Sequence, residues 1–413
     1  MRSVMFKLSR RAPFPFVHHM TKELSDDDEQ SISEADRVES EELSESTAPS
    51  QPWNPEKIRI STKNFSLREV VEQIEAQDID LAPDFQREFV WKRRQRTRLI
   101  ESVLLGIPLP AFYFNQEDDG SYQVVDGVQR LSSIHQFMAD RHVLDVADLE
   151  YLHHLHGLRY SDLEQSLVRR FRSSQIVVHI IEPQTPYEIK YDIFGRVNTL
   201  GSPLSPQEIR HAMSKSRSRD FLQRLTTLSS FDSATDFNFW RKEAGSPHAL
   251  VIDTGRMMNR ELVLRFCAFS QFSAEEYKRF PSLDSYLVNY TRRLDERCGP
   301  AEDISDVHLK LLGEYFDQAM RNAHQLLGNW AFRRYNSTRR GPINRALFES
   351  QAIALAPYNP EQIALNQNRI QENLEKLFGD TEYVKAVTVG TGAVFRVALR
   401  LRLTRLAVED AIR

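Results

Sequence analysis

Residues 111–138, AFYFNQEDDGSYQVVDGVQRLSSIHQFM, leave this chain few folds to adopt. Two short apolar runs, 111–115 and 122–125, flank an Asp-Asp-Gly turn, which is the pattern of a β-hairpin. Immediately after the second run comes Asp126-Gly127. Then Leu131, Ile134, Phe137 and Met138 repeat at the spacing of one helical face. A hairpin running straight into an amphipathic helix excludes an all-helical or an all-β reading of this part of the chain.

The same mixture extends on both sides. Residues 66–81 start with Ser66 and carry Glu69 three positions later, a capping-box signature for a helix. Residues 83–91 read as a loop or short strand, and 92–110 as a helix stopped by Gly106-Ile107-Pro108. Residues 175–182, QIVVHIIE, read as a buried strand and 187–198 as a helix. After Ser205 the strand signals almost vanish, and 206–228, 255–272, 306–334, 341–356 and 359–378 read as helices. The expected fold class is therefore α+β, with a mixed domain at 57–204 and a mostly helical domain at 205–413.

Charge divides the chain differently. Residues 22–45 hold eleven acids and two bases, a net of −9, and residues 1–21 carry +4, which leaves +1 for residues 46–413. The segment 22–52 is acidic, Ser-rich and nearly free of aromatic residues, so it cannot bury enough apolar surface to offset its ordering entropy. Residues 1–56 are accordingly expected as a disordered acidic tail, one that can also cover a basic groove. The first twenty residues lack the apolar core of a secretory signal. No apolar run approaches the roughly 18 residues of a membrane span. The two cysteines, Cys267 and Cys298, lack metal-ligand spacing, which suits a reducing, cytoplasmic compartment. His153, His154 and His156 have no acid or Cys cluster beside them and are expected in surface or loop packing.

Three motifs carry the chemistry. They are DFQREFVW at 84–91, DGVQR at 126–130, and GRVNTLGSPLSPQEIRHA at 195–212. A glycine at a strand-to-helix junction lets a phosphate approach the N–H groups of a helix N-terminus. Arginine supplies a fork of donors that matches phosphate oxygens. Carboxylates and an amide oxygen can hold Mg²⁺, with waters and substrate phosphates completing its shell. The competing reading is structural: Asp-Gly makes tight turns widely, and Arg130 beside Asp126 can be a plain ion pair.

Taken together, DFQREFVWKRRQRTRLIESVLLGIPLPAFYF, YQVVDGVQRLSSIHQF and IFGRVNTLGSPLSPQEIRHA resemble the GmrSD restriction endonuclease N-terminal domain family, within the wider ParB/sulfiredoxin-like superfamily. The resemblance covers roughly 60–215, with weaker echoes at 339–355 and 388–400. It implies a domain that binds and hydrolyses nucleoside triphosphates in a restriction or phage-defence setting. By the same resemblance Gln86 and Arg87 match the family's Gln-Arg pair, and Asp126, Gly127, Gln129 and Arg130 its Asp-Gly motif. Asp126, Gln129 and Arg130 are thereby the catalytic candidates. Asn198 and Thr199 are implied as nucleotide contacts, and Asn198 with Glu208 as metal contacts. The chain departs from the family in having Val128 where a Gln is usual and Glu88 where a Pro is usual. No HNH-type nuclease module is recognisable. The implied partners are DNA and a nuclease or other defence protein.

Basic clusters supply candidate DNA contacts. WKRRQRTR at 91–98 holds Arg93 and Arg94, and FRRYNSTRRGPINR at 332–345 holds Arg339 and Arg340. The C-terminal amphipathic helix adds Arg396 and Arg400.

Overall fold

The computed structural model describes residues 38–39, 54–81, 91–197, 204–243, 246–252, 256–335 and 340–413, with backbone alone for 241–243 and 246–251. Residues 34–413 group as one compact unit. Its first part runs β1 (Ile60–Ser66), α1 (Leu67–Glu75), β2 (Ile79–Asp80), α2 (Arg93–Leu105), β3 (Phe112–Gln116), β4 (Tyr122–Asp126), α3 (Val128–Met138), α4 (Gln165–Ser173), β5 (Gln175–Ile181) and α5 (Tyr187–Val197).

The strands form one sheet in the order β1-β5-β3-β4-β2. The expected hairpin is present as the antiparallel β3–β4 pair, and β5 lies parallel to β3. Strand β1 closes one edge, antiparallel to β5 from Ile60↔Ile181 to Ser66↔Gln175. Alternation decides which face is buried: Ile176, Val178 and Ile180 are buried, whereas Val177 between them is 40% exposed. On the buried side Phe112, Phe114 and Val124 share a core with Leu67, Val70, Ile100, Val103, Leu131, Ile134 and Phe137 from α1–α3. Ser66 caps α1 by accepting from the Glu69 N–H at 3.2 Å. That helix ends at Glu75 and does not continue to 81, because Gln77 takes φ 66° and Ile79 pairs with Tyr122.

The second part runs α6 (Pro206–Ala212), α7 (Ser216–Thr226), α8 (Ser229–Thr235), β6 (Trp240–Glu243), β7 (Ser246–Ile252), α9 (Met258–Ser270), α10 (Ala274–Tyr277), α11 (Leu283–Leu294), α12 (Asp306–Leu327), α13 (Arg345–Leu355), α14 (Pro360–Leu365), α15 (Gln367–Leu377), α16 (Thr381–Thr388) and α17 (Val394–Ile412). The part after Ser205 is mostly helical as expected, and it also holds the antiparallel β6–β7 hairpin, which no sequence signal marks. Two helices are wrapped by the rest. Every residue of α9 from Asn259 to Phe269 is buried, as is every residue of α13 from Ala346 to Leu355. Both carry charges inside this shell, which must be met internally.

Two residues of the acidic stretch, Val38 and Glu39, are among the described residues, and both are docked. Within the stretch read as a disordered tail, Val38 forms a parallel bridge with Ile343, and the Glu39 N–H donates to the Ile343 carbonyl at 2.8 Å. Val38 is 2% exposed and sits in the helical core together with Ile343, Phe332 and Phe348. One apolar residue in an acidic stretch suffices to dock it where a complementary core socket exists. Removing residues 1–52 should therefore lower stability by about 1.5–3 kcal/mol, the worth of one buried aliphatic side chain. Chemical denaturation measures this, and an unchanged midpoint would place Val38 outside the core.

Candidate functional site

Strand β4 delivers Asp126 to the turn, and Gly127 occupies the N-cap position of α3 with φ +100°. Only glycine fits: the φ is left-handed, and a Cβ there would lie 2.2 Å from Cδ1 of Phe112. Arg130, one turn along α3, folds back over this glycine. Its guanidinium lies 4.1 Å from the Phe112 ring centroid and donates through Nη2 to Asp126 Oδ2 at 2.7 Å and to the Ala111 carbonyl at 3.2 Å. Nη1 donates to the Pro110 carbonyl. Burial lowers the Arg130 pKa from its ordinary value, and Asp126 opposes that shift. Arg130 thus stitches the entrance of β3 to the β4–α3 turn, using three of the five N–H donors of its guanidinium. The plain ion pair considered from sequence is present, with the glycine and the helix N-terminus beside it.

Gln129 contributes a different feature. Its Oε1 is buried without a hydrogen-bond partner among the described residues. A buried amide oxygen left unpaired costs about 1–3 kcal/mol, so it is the atom here with most to gain from an incoming donor or cation.

The flanks of the other motifs approach the same strand. Strand β2 runs parallel to β4, so the chain leaves Asp80 in the direction of Asp126. Gln86 and Arg87 follow in 82–90, outside the described residues. On the other side Val125 packs with Phe194 of α5 and with Ile209, Ala212 and Met213 of the α6 end. Asn198 and Thr199 lie between those helices, also outside the described residues. Glu208 is described and is 4% exposed. Its Oε2 accepts from the Ser205 N–H at 2.6 Å and from Arg256 at 2.9 Å, while Ser205 Oγ accepts the Glu208 N–H at 3.2 Å. This carboxylate completes a capping box and balances an arginine. Among the described residues no group of three or more His, Cys, Asp and Glu is arranged to hold a metal ion.

Residues 67–214 match the family described as GmrSD restriction endonuclease, N-terminal domain. That segment belongs to this family. No curated protein and no solved structure matches the chain. The matched GmrSD-type segment contains the whole Asp126–Arg130 turn and ends just beyond α6, so the helix carrying Glu208 belongs with the sheet. The domain type associates the chain with restriction-type defence. Among the described residues no helix is long and apolar enough to cross a membrane.

The arginines expected at DNA have separate fates. Arg93 is exposed and paired with Asp145 at 2.6 Å and Asp148 at 3.2 Å, and Arg94 is exposed. Arg340 is exposed and paired with Asp236, Arg396 lies over the exposed Phe395 ring, and Arg339 lies outside the described residues. Arg400 is a correction: it is 0% exposed, and its Nε donates to Glu349 Oε1 at 2.7 Å. Its Nη1 serves the Thr391 and Ala386 carbonyls at 2.6 and 3.2 Å, so it cannot reach a phosphate. The helical spacing of Arg396, Arg400, Arg402 and Arg405 gave no sign that one position turns inward. His153, His154 and His156 are exposed, and His156 Nδ1 accepts the Val146 N–H at 2.9 Å.

Two substitutions follow from this geometry. Arg400→Ala should cost about 3–5 kcal/mol by removing the nearer arginine partner of the buried Glu349, with DNA affinity unchanged in whatever remains folded. Gly127→Ala should destabilise by about 1–3 kcal/mol from the positive φ alone. Denaturant midpoints check both; a stable Gly127→Ala protein would show that the turn can be rebuilt without strain.

Proposed function

We propose that this chain binds a nucleoside triphosphate at the β4–α3 turn and hydrolyses it, as the nucleotide-dependent part of a DNA-associated, cytoplasmic restriction or phage-defence system. The observation carrying this reading is Gly127. Its left-handed backbone, packed under Phe112, starts an eleven-residue helix beside the guanidinium of Arg130, which puts first-turn N–H groups and a fork of donors side by side. The first-turn N–H groups of α3 and the remaining donors of Arg130 hold phosphate oxygens. The unpaired Gln129 oxygen takes a donor or the cation. Gln86, Arg87, Asn198 and Thr199 complete the nucleotide contacts from segments whose flanks lie along β4.

The fit to Mg²⁺ is that of an ion arriving with its ligand. With no cluster of three acidic, His or Cys side chains among the described residues, phosphate oxygens and waters would supply most of the shell, and Asn198 would add an amide oxygen. Bound there, the ion would neutralise charge on the phosphates. Glu208 orients the α5–α6 segment through its capping box and Arg256. In hydrolysis a water attacks the terminal phosphorus and breaks the bridging P–O bond. Asp126 accepts the water's proton, and nucleoside diphosphate and orthophosphate leave.

A second reading is favoured by Arg130's bonds to Asp126, Pro110 and Ala111. In it the chain is a non-enzymatic DNA-binding or regulatory module whose nucleotide site is inactive. The deciding experiment titrates the full chain with ATP, GTP, CTP and UTP in the presence of Mg²⁺ and follows phosphate release. Arg130→Lys keeps the charge but loses the fork, and should weaken nucleotide binding by about 10- to 100-fold, the worth of a charged hydrogen bond. Asp126→Asn should retain binding and lose phosphate release. Wild-type affinity in a folded Arg130→Lys protein rejects the site, and tight binding without phosphate release selects the second reading.

A further inference from the structure

The helical part grips one carboxylate of its own acidic segment with a donor set suited to phosphate. Arg334, half exposed, pairs with Glu39 Oε1. Asn344 Nδ2 donates to Glu39 Oε2 at 2.7 Å, and Arg345 Nη1 donates to the Glu39 carbonyl at 2.7 Å. Both carboxylate oxygens and the adjoining backbone are therefore bound at once. The donors are held from behind. Asn344 is 5% exposed, caps α13 by accepting the Leu347 N–H at 2.9 Å, and donates to the Val387 carbonyl at 2.7 Å. Arg345 keeps only 11% of its side chain exposed and sets Nε 3.4 Å from Glu261. The neighbouring arginines are otherwise engaged: Arg333 is buried on the Ala331 and Thr235 carbonyls at 2.9 and 3.2 Å, and Arg340 is paired with Asp236.

A planar guanidinium on one oxygen, an amide donor on the other and a second guanidinium alongside form the set that binds a phosphodiester. The occupant comes from a stretch, residues 22–45, with a net charge of −9. Val38 anchors in the core one residue earlier, which keeps Glu39 at high effective concentration over the site. We infer that Arg334, Asn344 and Arg345 form a nucleic-acid phosphate site that Glu39 occupies in cis, so that nucleic acid binds there by displacing the acidic segment. Naming nucleic acid as the occupant rests on the DNA-associated reading above; it does not depend on the nucleotide site.

The test uses the full chain without nucleotide and a fluorescently labelled, mixed-sequence DNA duplex across a range of salt concentrations. Glu39→Gln removes the competing charge and keeps its size. It should tighten duplex binding by about fivefold or more at low salt, and steepen the dependence of log K on log salt by about 0.9 for each phosphate newly engaged. Adding Arg334→Ala to that variant should remove the gain, and Arg334→Ala alone, at a half-exposed position, should weaken binding. Unfolding midpoints of all three confirm that the folded chains are being compared. Equal or weaker binding by folded Glu39→Gln makes the contact a structural latch and overturns the inference. So does a gain that survives Arg334→Ala, or the absence of duplex binding throughout. If Glu39→Gln fails to fold, Arg334→Ala decides alone: tighter or unchanged duplex binding overturns the inference, and weaker binding upholds it. Nucleotide affinity should be the same in wild type and Glu39→Gln. A chain that fails to bind nucleotide but gains DNA affinity on Glu39→Gln sinks the nucleotide reading and leaves this one standing.

Discussion

Arg210 is a full positive charge at 2% exposure, and its position fixes both halves of the molecule. An arginine so far from water is tolerable only when carboxylates meet it. Arg210 finds Asp284 on α11 and, at 3.3 Å, Glu261 on α9. Glu261 in turn takes Arg265 at 2.9 Å and Arg345 at 3.4 Å, and Arg265 lies 3.8 Å from Glu349, the partner of Arg400. This chain of charges ties α6 to the centre of the helical part. The apolar side of the same short helix, Ile209 and Ala212, packs with Val125, next to Asp126. A helix clamped by charge on one side and by apolar contact on the other explains why residues 34–413 group as one unit although separate cores lie in the sheet and the helices. Removing a single partner from such a lattice costs about 3–5 kcal/mol, far more than an exposed pair contributes.

Local signals were legible from sequence wherever a short stretch decides its own structure. The Asp-Asp-Gly hairpin, the strand read at 175–182, the Ser66–Glu69 cap and the stop at Gly106 all depend on neighbours within a few residues. The misses depend on distant partners. Strand β1, ISTKNFS, carries little apolar periodicity because it is a sheet edge whose outer side stays polar, and its place is set by β5 more than a hundred residues later. The β6–β7 hairpin hid in a stretch without a recognised alternation. Arg400 looks like its surface neighbours in sequence, and only Glu349 on another helix shows that it is a core residue. At the candidate site the motif residues were legible as residue types. The fold of Arg130 onto Pro110, Ala111 and Phe112 was not, since it requires the start of β3 to lie beside the end of β4.

The acidic segment shows the same limit from the other direction. Composition speaks only to whether a stretch can form a core of its own. It is blind to a single valine that uses another segment's core, and to a glutamate that finds two arginines and an asparagine already arranged. Arg345 joins the Glu39 contact to the interior lattice through Glu261, so that contact and the helix that packs beside the Asp126 turn are held by one set of charges.

The claim that the β4–α3 turn is the nucleotide site is tested most directly by hydrogen exchange of the full chain with and without nucleoside triphosphate and Mg²⁺. Phosphate held at the N-terminus of α3 predicts slower exchange of the amides of residues 127–131, with slower exchange also along residues 204–212, because α6 packs beside that turn. Binding that leaves exchange at 127–131 unchanged while protecting amides elsewhere would contradict the claim.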